Sequence, residues 1–178
     1  GYLRKGADPD TSDATGTTLL MRAAANGNMP LVKTLLTMRA SMSKHNKFGE
    51  TAIALAAFNG HEDIVRMLVE NGALLNESGW GPLHYAAFNG HPDIVRYLIS
   101  RGTDVNLRAP NQHTPLMLAA RNGYTGIVRI LLAAGADPEL WDAEGYDAAL
   151  IAQRAGNTEI AGLLRVAKTA RSERQADN

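Results

Sequence analysis

Apolar residues along this chain fall into two alternating phrases, and both carry helical period. In the clearest copy Thr114-Pro115 opens a run in which Leu116, Leu118 and Ala119 supply apolar contacts, and Asn122-Gly123 closes it. A Thr hydroxyl caps free N–H groups, Pro is pre-set for a first helical turn, and Gly accepts the left-handed conformation that ends a helix. The next run places Ile127, Val128, Leu131 and Leu132 at i, i+1, i+4 and i+5, an apolar stripe that Gly135 stops. Two short helices and a loop are predicted for this stretch.

The same phrase returns along the chain. Gly27, Gly60, Gly90, Gly123 and Gly156 hold one place in it, at spacings of 33, 30, 33 and 33 residues. A fixed period of this length predicts a stacked-repeat protein that binds through an extended surface. The repeats run over 8–40, 41–73, 74–103, 104–136 and 137–169. Residues 1–7 match the tail of a second helix alone, so the chain opens inside an unfinished repeat. Repeat 1, lacking a complete neighbour there, is expected to fray first. Repeat 5 is more polar than its siblings: Gln153 stands at an Ala position, Arg165 at an aliphatic one and Lys168 in place of the stopping Gly, while Ala161 replaces a bulkier Val. That composition predicts a C-terminal cap, followed over 170–178 by a polar tail read as frayed.

The phrase resembles the ankyrin repeat, whose signature is Thr-Pro-Leu-His-x-Ala-Ala, then Gly-His, Ile-Val, Leu-Leu and Gly-Ala-Asp. Repeat 3 reads Gly81-Pro82-Leu83-His84-Tyr85-Ala86-Ala87 and continues Gly90-His91-Pro92-Asp93-Ile94-Val95. Repeat 2 gives Thr51-Ala52-Ile53-Ala54-Leu55-Ala56-Ala57, then Gly60-His61-Glu62-Asp63-Ile64-Val65. Repeat 1 keeps Thr18-Leu19-Leu20-Met21, Leu31-Val32 and Leu35-Leu36. The resemblance covers nearly the whole chain and implies an all-α solenoid of helix–turn–helix units with β-hairpin-like finger loops. It also implies one stunted finger, because the loop between Gly72 and Gly79 is three residues shorter than its equivalents. Arg39 takes the place of a stopping Gly, so that helix end is expected to differ. The Thr-Pro-Leu-His phrase is worn: only repeat 3 retains the His, as His84, and there the Thr is Gly81, so the family's Thr–His hydrogen bond is not assumed.

Composition narrows the function. Eighteen basic and eighteen acidic residues cancel, which argues against a broad footprint for nucleic acid. No apolar run is long enough to cross a membrane. Zero cysteines exclude thiol chemistry and fit either a reducing or an oxidising compartment. The five histidines, His45, His61, His84, His91 and His113, show no zinc-ligand spacing, and no Gly-rich loop ends in Gly-Lys-Ser/Thr. His61 and His91 hold the Gly-His place, where the resemblance implies a structural role at a helix start. The expectation is a non-catalytic chain with no metal and no cofactor. Four of six Met residues (Met21, Met29, Met38 and Met42) gather in repeat 1 and its junction, where they read as soft filler.

The aromatic residues carry the sharper expectation. In ankyrin repeats the partner-facing positions are the fingers, the residue before Thr and the two residues after Ala-Ala. Carried over, Phe58 and Phe88 follow Ala-Ala in repeats 2 and 3, and Arg121 and Arg154 hold that place in repeats 4 and 5. Phe48 and Trp141 fall in fingers; Trp80, His113 and Tyr146 precede the Thr position. All three Phe and both Trp therefore map to partner-facing sites, while Tyr85 and Tyr97 read as core. Two roles stay open for Phe58 and Phe88: anchoring a partner, or packing between inner helices as a groove floor. Acidic finger residues Glu139, Asp142 and Glu144 lie near the basic end of the groove. The leading expectation is a monomeric scaffold binding a protein or peptide, with an apolar anchor on the aromatic patch and an acidic group on Arg121 and Arg154. A regulatory or spacer segment of a larger protein is the alternative, and an enzyme a remote one.

Overall fold

A computed structural model describes residues 8–77 and 79–176, with side chains through residue 174. Residues 1–7, the proposed remnant of an unfinished repeat, lie outside the described residues. Among the described residues ten helices alternate between two rows. The inner row is α1 (Leu19–Ala25), α3 (Ala52–Asn59), α5 (Pro82–Asn89), α7 (Pro115–Arg121) and α9 (Ala148–Arg154). The outer row is α2 (Met29–Thr37), α4 (Glu62–Glu70), α6 (Pro92–Ser100), α8 (Thr125–Ala133) and α10 (Thr158–Ala176). Each inner helix packs on the next inner helix and on its own outer partner. The result is the expected all-α solenoid, one pair of helices per repeat.

Each repeat is built from the signals read above. Thr51 caps α3 by accepting the Ala54 N–H, and Asp147 caps α9 by accepting the Leu150 N–H. At Thr18 and Thr114 the cap is reciprocal: the hydroxyl accepts from the Met21 or Met117 N–H, and the Met sulfur accepts the Thr N–H at 3.4 Å. The core between the rows is aliphatic, with Leu20, Ile64, Leu83, Val95, Leu116 and Val128 almost wholly buried. Met21 belongs to that core, and Met29 and Met42 pack against it, in keeping with a filler role.

Register between repeats rests on one recurring contact. Gly27 and Gly60 have φ of +69° and +78°, and a Cβ on either would lie 2.7 or 2.6 Å from the imidazole of His61 or His91 in the following repeat. Gly is required there for its backbone freedom and for the space it leaves. His61 and His91 do stand at the starts of α4 and α6, but they do not cap them. Their Nε2–H groups reach backward to the Ala25 and Phe58 carbonyls, at 3.1 and 2.9 Å. The structural role is therefore an inter-repeat bond to carbonyls left free at an inner helix end. Tyr124 and Asn157 occupy the same place over Gly90 and Gly123.

Three expectations are corrected. Arg39 adopts φ 63°, and its helix end closes as its siblings do, with Arg39 N–H to Leu36 O and Ala40 N–H to Leu35 O. The polar tail is not frayed over its described part: without a Gly at 168, α10 runs on to Ala176. Its polar residues find partners, Lys168 Nζ with Asp147 Oδ2 at 2.6 Å, Arg171 with Asp137 at 3.0 Å, and Arg165 with Gln153. Tyr85, read as core, is half-exposed, whereas Tyr97 is buried as expected.

The fingers are turns rather than extended hairpins. Four of them share a closed five-residue turn, from Asp13, Asn46, Ala109 and Asp142 to Thr17, Glu50, His113 and Tyr146. Isolated β-bridges join Ser12 to Thr18 and Trp141 to Asp147. The short finger over 73–80 has no such turn among its described residues. Asn76 instead accepts the Asp104 N–H of the next finger at 2.9 Å.

Two outcomes follow. A left-handed residue with a Cβ is strained, so Arg39→Gly should stabilise the fold by up to about 1 kcal/mol, read from the urea midpoint. Amides of α1 and α2 should exchange faster than those of α5 to α8, because the left-handed Arg39 strains the end of α2; uniform protection would contradict this.

Candidate partner-binding groove

The groove is set by which side chains the inner helices and fingers turn outward. Phe58 and Phe88 end equivalent helices, and Tyr85 lies three residues before Phe88, on the same face of α5. The two Phe rings stack with centroids 6.3 Å apart and planes 19° from parallel. Tyr85 meets Phe58 edge-on at 5.9 Å, and Trp80 stands 5.4 Å from Tyr85 and 5.8 Å from Phe88. Arg121 covers the far side of Phe88, its guanidinium carbon 5.6 Å from the ring centre. All four rings are half-buried, and Arg121 is exposed. The two Phe rings pack on each other and still present surface to solvent.

Two polar groups lie against this cluster. Burial, with the Glu50 carboxylate beside it, pushes the Tyr85 phenol up to about 12, so Tyr85 stays protonated. Glu50 is itself fixed by Asn46 Nδ2 at 2.7 Å. Beneath Trp80, its ring 6.0 Å away, lies the fully buried His84. Its Nδ1 accepts the Gly81 N–H at 3.3 Å and its Nε2–H donates to Leu107 O at 2.9 Å. The worn motif thus keeps its His bond, with the Gly81 backbone in place of a Thr hydroxyl. Burial lowers the His84 pKa from 6.5 to about 4, so the ring is neutral at neutral pH.

The remaining sequence-predicted residues divide into three places. Phe48, 67% exposed, projects from its finger, where Asn46 Oδ1 accepts its N–H and Lys47 Nζ lies 5.0 Å from its ring. With His45, Gly49, Gly79, Trp80 and Pro110 it lines an open hollow of ≈ 440 Å³. Tyr146 and Arg154 form a second pair, 4.6 Å from guanidinium to ring, at the C-terminal end. His113 is held within the fingers, accepting from Asn111 Nδ2 at 3.1 Å with Nε2 3.4 Å from Asp142 Oδ2. Trp141 is 64% exposed in the last finger. The structure brings Phe58, Trp80, Phe88 and Arg121 together, links Phe48 to them through the hollow, and leaves Trp141 apart.

Sequence reasoning missed Tyr85 and Glu50. The i, i+3 spacing to Phe88 was a signal for Tyr85, and Glu50 precedes Thr51 as Trp80 precedes Gly81. Among the described residues no group of three His, Asp or Glu side chains is placed to hold a metal, and no helix is long and apolar enough to cross a membrane.

Residues 2–76 and 20–109 match the family model described as ankyrin repeats (3 copies), and residues 98–151 match ankyrin repeats (many copies). The chain belongs to the ankyrin repeat family. Similar proteins include an ankyrin repeat protein of Rickettsia bellii, 32% identical over 68 residues, which are 38% of each chain. Inversin of Danio rerio is 32% identical over 77 residues, 42% of this chain and 8% of inversin. The Notch-regulated ankyrin repeat-containing protein of Homo sapiens is 41% identical over 54 residues, 30% of this chain and 47% of that protein. Each match spans less than half of the relative's length. Ankyrin repeats are in general protein–protein interaction modules and typically non-catalytic.

The His84 environment generates a pH prediction. Between about pH 6.5 and 4 the unfolded chain binds a proton on this residue that the folded ring refuses, so stability falls as pH drops through that window. From pH 7 to about 4.5 this residue alone should cost about 2 kcal/mol. Urea unfolding at both pH values should show a smaller loss in His84→Gln than in the parent chain; equal losses would contradict the assignment.

Proposed function

We propose that this ankyrin chain is a non-catalytic scaffold that holds a protein or peptide partner along its concave groove and finger loops. The central anchor is Phe58, Trp80, Tyr85 and Phe88, with Arg121 beside it. Phe48, His113, Trp141, Tyr146 and Arg154 line the flanks. The observation that carries this reading is where the large rings lie. The core between the helix rows is closed by Leu, Ile, Val and Ala, and the Phe and Trp side chains stand outside it, half-exposed or exposed. Aromatic side chains with Arg beside them are enriched at the centres of protein interfaces, where a few residues supply most of the affinity. The ring contacts support the reading, because Tyr85 and Trp80 pack on Phe58 and Phe88 before any partner arrives, and preorganised side chains lose little freedom on binding.

The test uses the intact chain and a Phe58→Ala/Phe88→Ala variant, both checked for helical content. A partner captured by the intact chain and identified should bind the variant more weakly by about 2 kcal/mol or more. The variant's folding should suffer less than the about 3–5 kcal/mol of a fully buried Phe→Ala change. A variant that keeps every partner while losing stability would assign the rings to packing.

A further inference from the structure

The short finger leaves a slot with a definite chemistry. Its neighbours carry Phe48 on one side and Pro110 on the other, and Trp80 stands between them beside Gly79; these residues, with His45 and Gly49, bound the ≈ 440 Å³ hollow. Its side-chain walls are largely apolar, and Trp80, which lines it, also touches Phe88, so the hollow and the aromatic patch share a ring. The shape comes from the chain itself: the 30-residue spacing between Gly60 and Gly90 removes three residues from the loop that would otherwise fill this space.

Around the slot four cations stand against three carboxylates, although the chain as a whole is neutral. Glu50 and Glu77 are half-buried, Glu50 accepting from Asn46 Nδ2 at 2.7 Å and Glu77 facing His45 Nε2 at 3.4 Å, while the exposed Asp104 accepts the Asn106 N–H at 2.8 Å. Four cations, Lys44, Lys47, Arg108 and Arg121, are exposed, and among the described residues none is ion-paired with a carboxylate. Lys47 and Arg121 rest on the Phe48 and Phe88 rings, and Arg108 donates to the neutral Gln112 amide at 2.9 Å. Elsewhere Arg22, Arg66 and Arg96 each have a carboxylate partner, whereas Arg101 and Arg154 rest on Tyr rings. A cation over an aromatic ring keeps its full charge, and its field at a partly dry surface is felt most strongly by an incoming anion.

We infer that the slot takes one large apolar side chain from an acidic, extended segment of the partner, whose carboxylates pair with Lys47, Arg108 and Arg121. This rests on the groove being the binding face and names the partner's chemistry. A nucleic acid also carries negative charge and stacking rings, but its affinity grows with many phosphate contacts, and four open cations on a neutral chain fit a peptide better.

The experiment is selection of short random peptides on the intact chain, followed by affinity measurement of synthetic winners. Winners should carry Asp or Glu around one aromatic or branched aliphatic residue. Phe48→Ala, at an exposed tip, and an insertion of three residues that restores the finger over 73–80 should each weaken them by about tenfold or more. Lys47→Glu with Arg108→Glu should do the same, and raising salt from about 50 to about 500 mM should weaken binding of the intact chain. Winners that are lost on Phe58→Ala/Phe88→Ala but are neutral or basic, or that survive the insertion, overturn the inference and leave the groove reading standing. Winners indifferent to Phe58→Ala/Phe88→Ala overturn the groove reading itself. Displacement of the winners by polyuridylate, with tighter binding of the polymer than of any peptide, would give the slot to nucleic acid and overturn the inference.

Discussion

In repeats 1 to 4 the inner helix leaves carbonyl groups free at its end, and a side chain from the following repeat reaches back to them. His61 bonds Ala25 O, His91 and Asn89 bond Phe58 O, Asn122 bonds Phe88 O, and Asn157 bonds Ala120 O and Arg121 O. An unpaired carbonyl at a packed helix end is costly, and a bond from the next repeat removes that cost only when the two repeats are in register. At three of the four junctions the Gly positions follow from the same contact, since His61, His91 and Asn157 lie where a Cβ on Gly27, Gly60 or Gly123 would be. Stacking is thereby a condition on each neighbouring pair, which is what makes the solenoid a one-dimensional structure.

The groove is a by-product of this register. Because equivalent residues of successive inner helices line up, Phe58 and Phe88 are brought to 6.3 Å, and the carbonyl of each Phe is the acceptor that the next repeat uses. The aromatic patch and the inter-repeat bond therefore share residues. A ring anchored in this way is held by backbone geometry on one side and is open to solvent on the other, an arrangement suited to presenting a fixed apolar surface.

Neutral overall charge conceals how the charges are arranged. Near the centre of the groove Glu50 and Glu77 face Asn46 and His45, and the cations Lys47, Arg108 and Arg121 face aromatic rings and an amide. At the C-terminal end the balance is reversed in purpose: Lys168 and Arg171 pair with Asp147 and Asp137 and tie the long last helix to the adjacent finger and inner helix. The same residue types thus serve closure at one end and an open electrostatic surface in the middle.

Periodicity alone determined the repeat, its helix pairs and the alternation of inner and outer rows, because local signals recur: a capping Thr, an apolar stripe of helical period and a stopping Gly. The place of Phe58, Phe88, Trp80 and Arg121 on one face was also legible, since equivalent positions in a solenoid stay side by side. Other features depended on neighbours that local signals do not describe. Arg39 and Gln112 take left-handed conformations without being Gly, because the surrounding turn closes over them. Tyr85 sits in the groove, where Trp80 and Phe58 flank it. His61 and His91 reach back a repeat instead of capping their own helices, and the tail after Lys168 stays helical as ion pairs earlier in α10 hold the helix to the last repeat. In each case the deciding energy comes from a contact across repeats, and a pattern read within one repeat has no means of registering it.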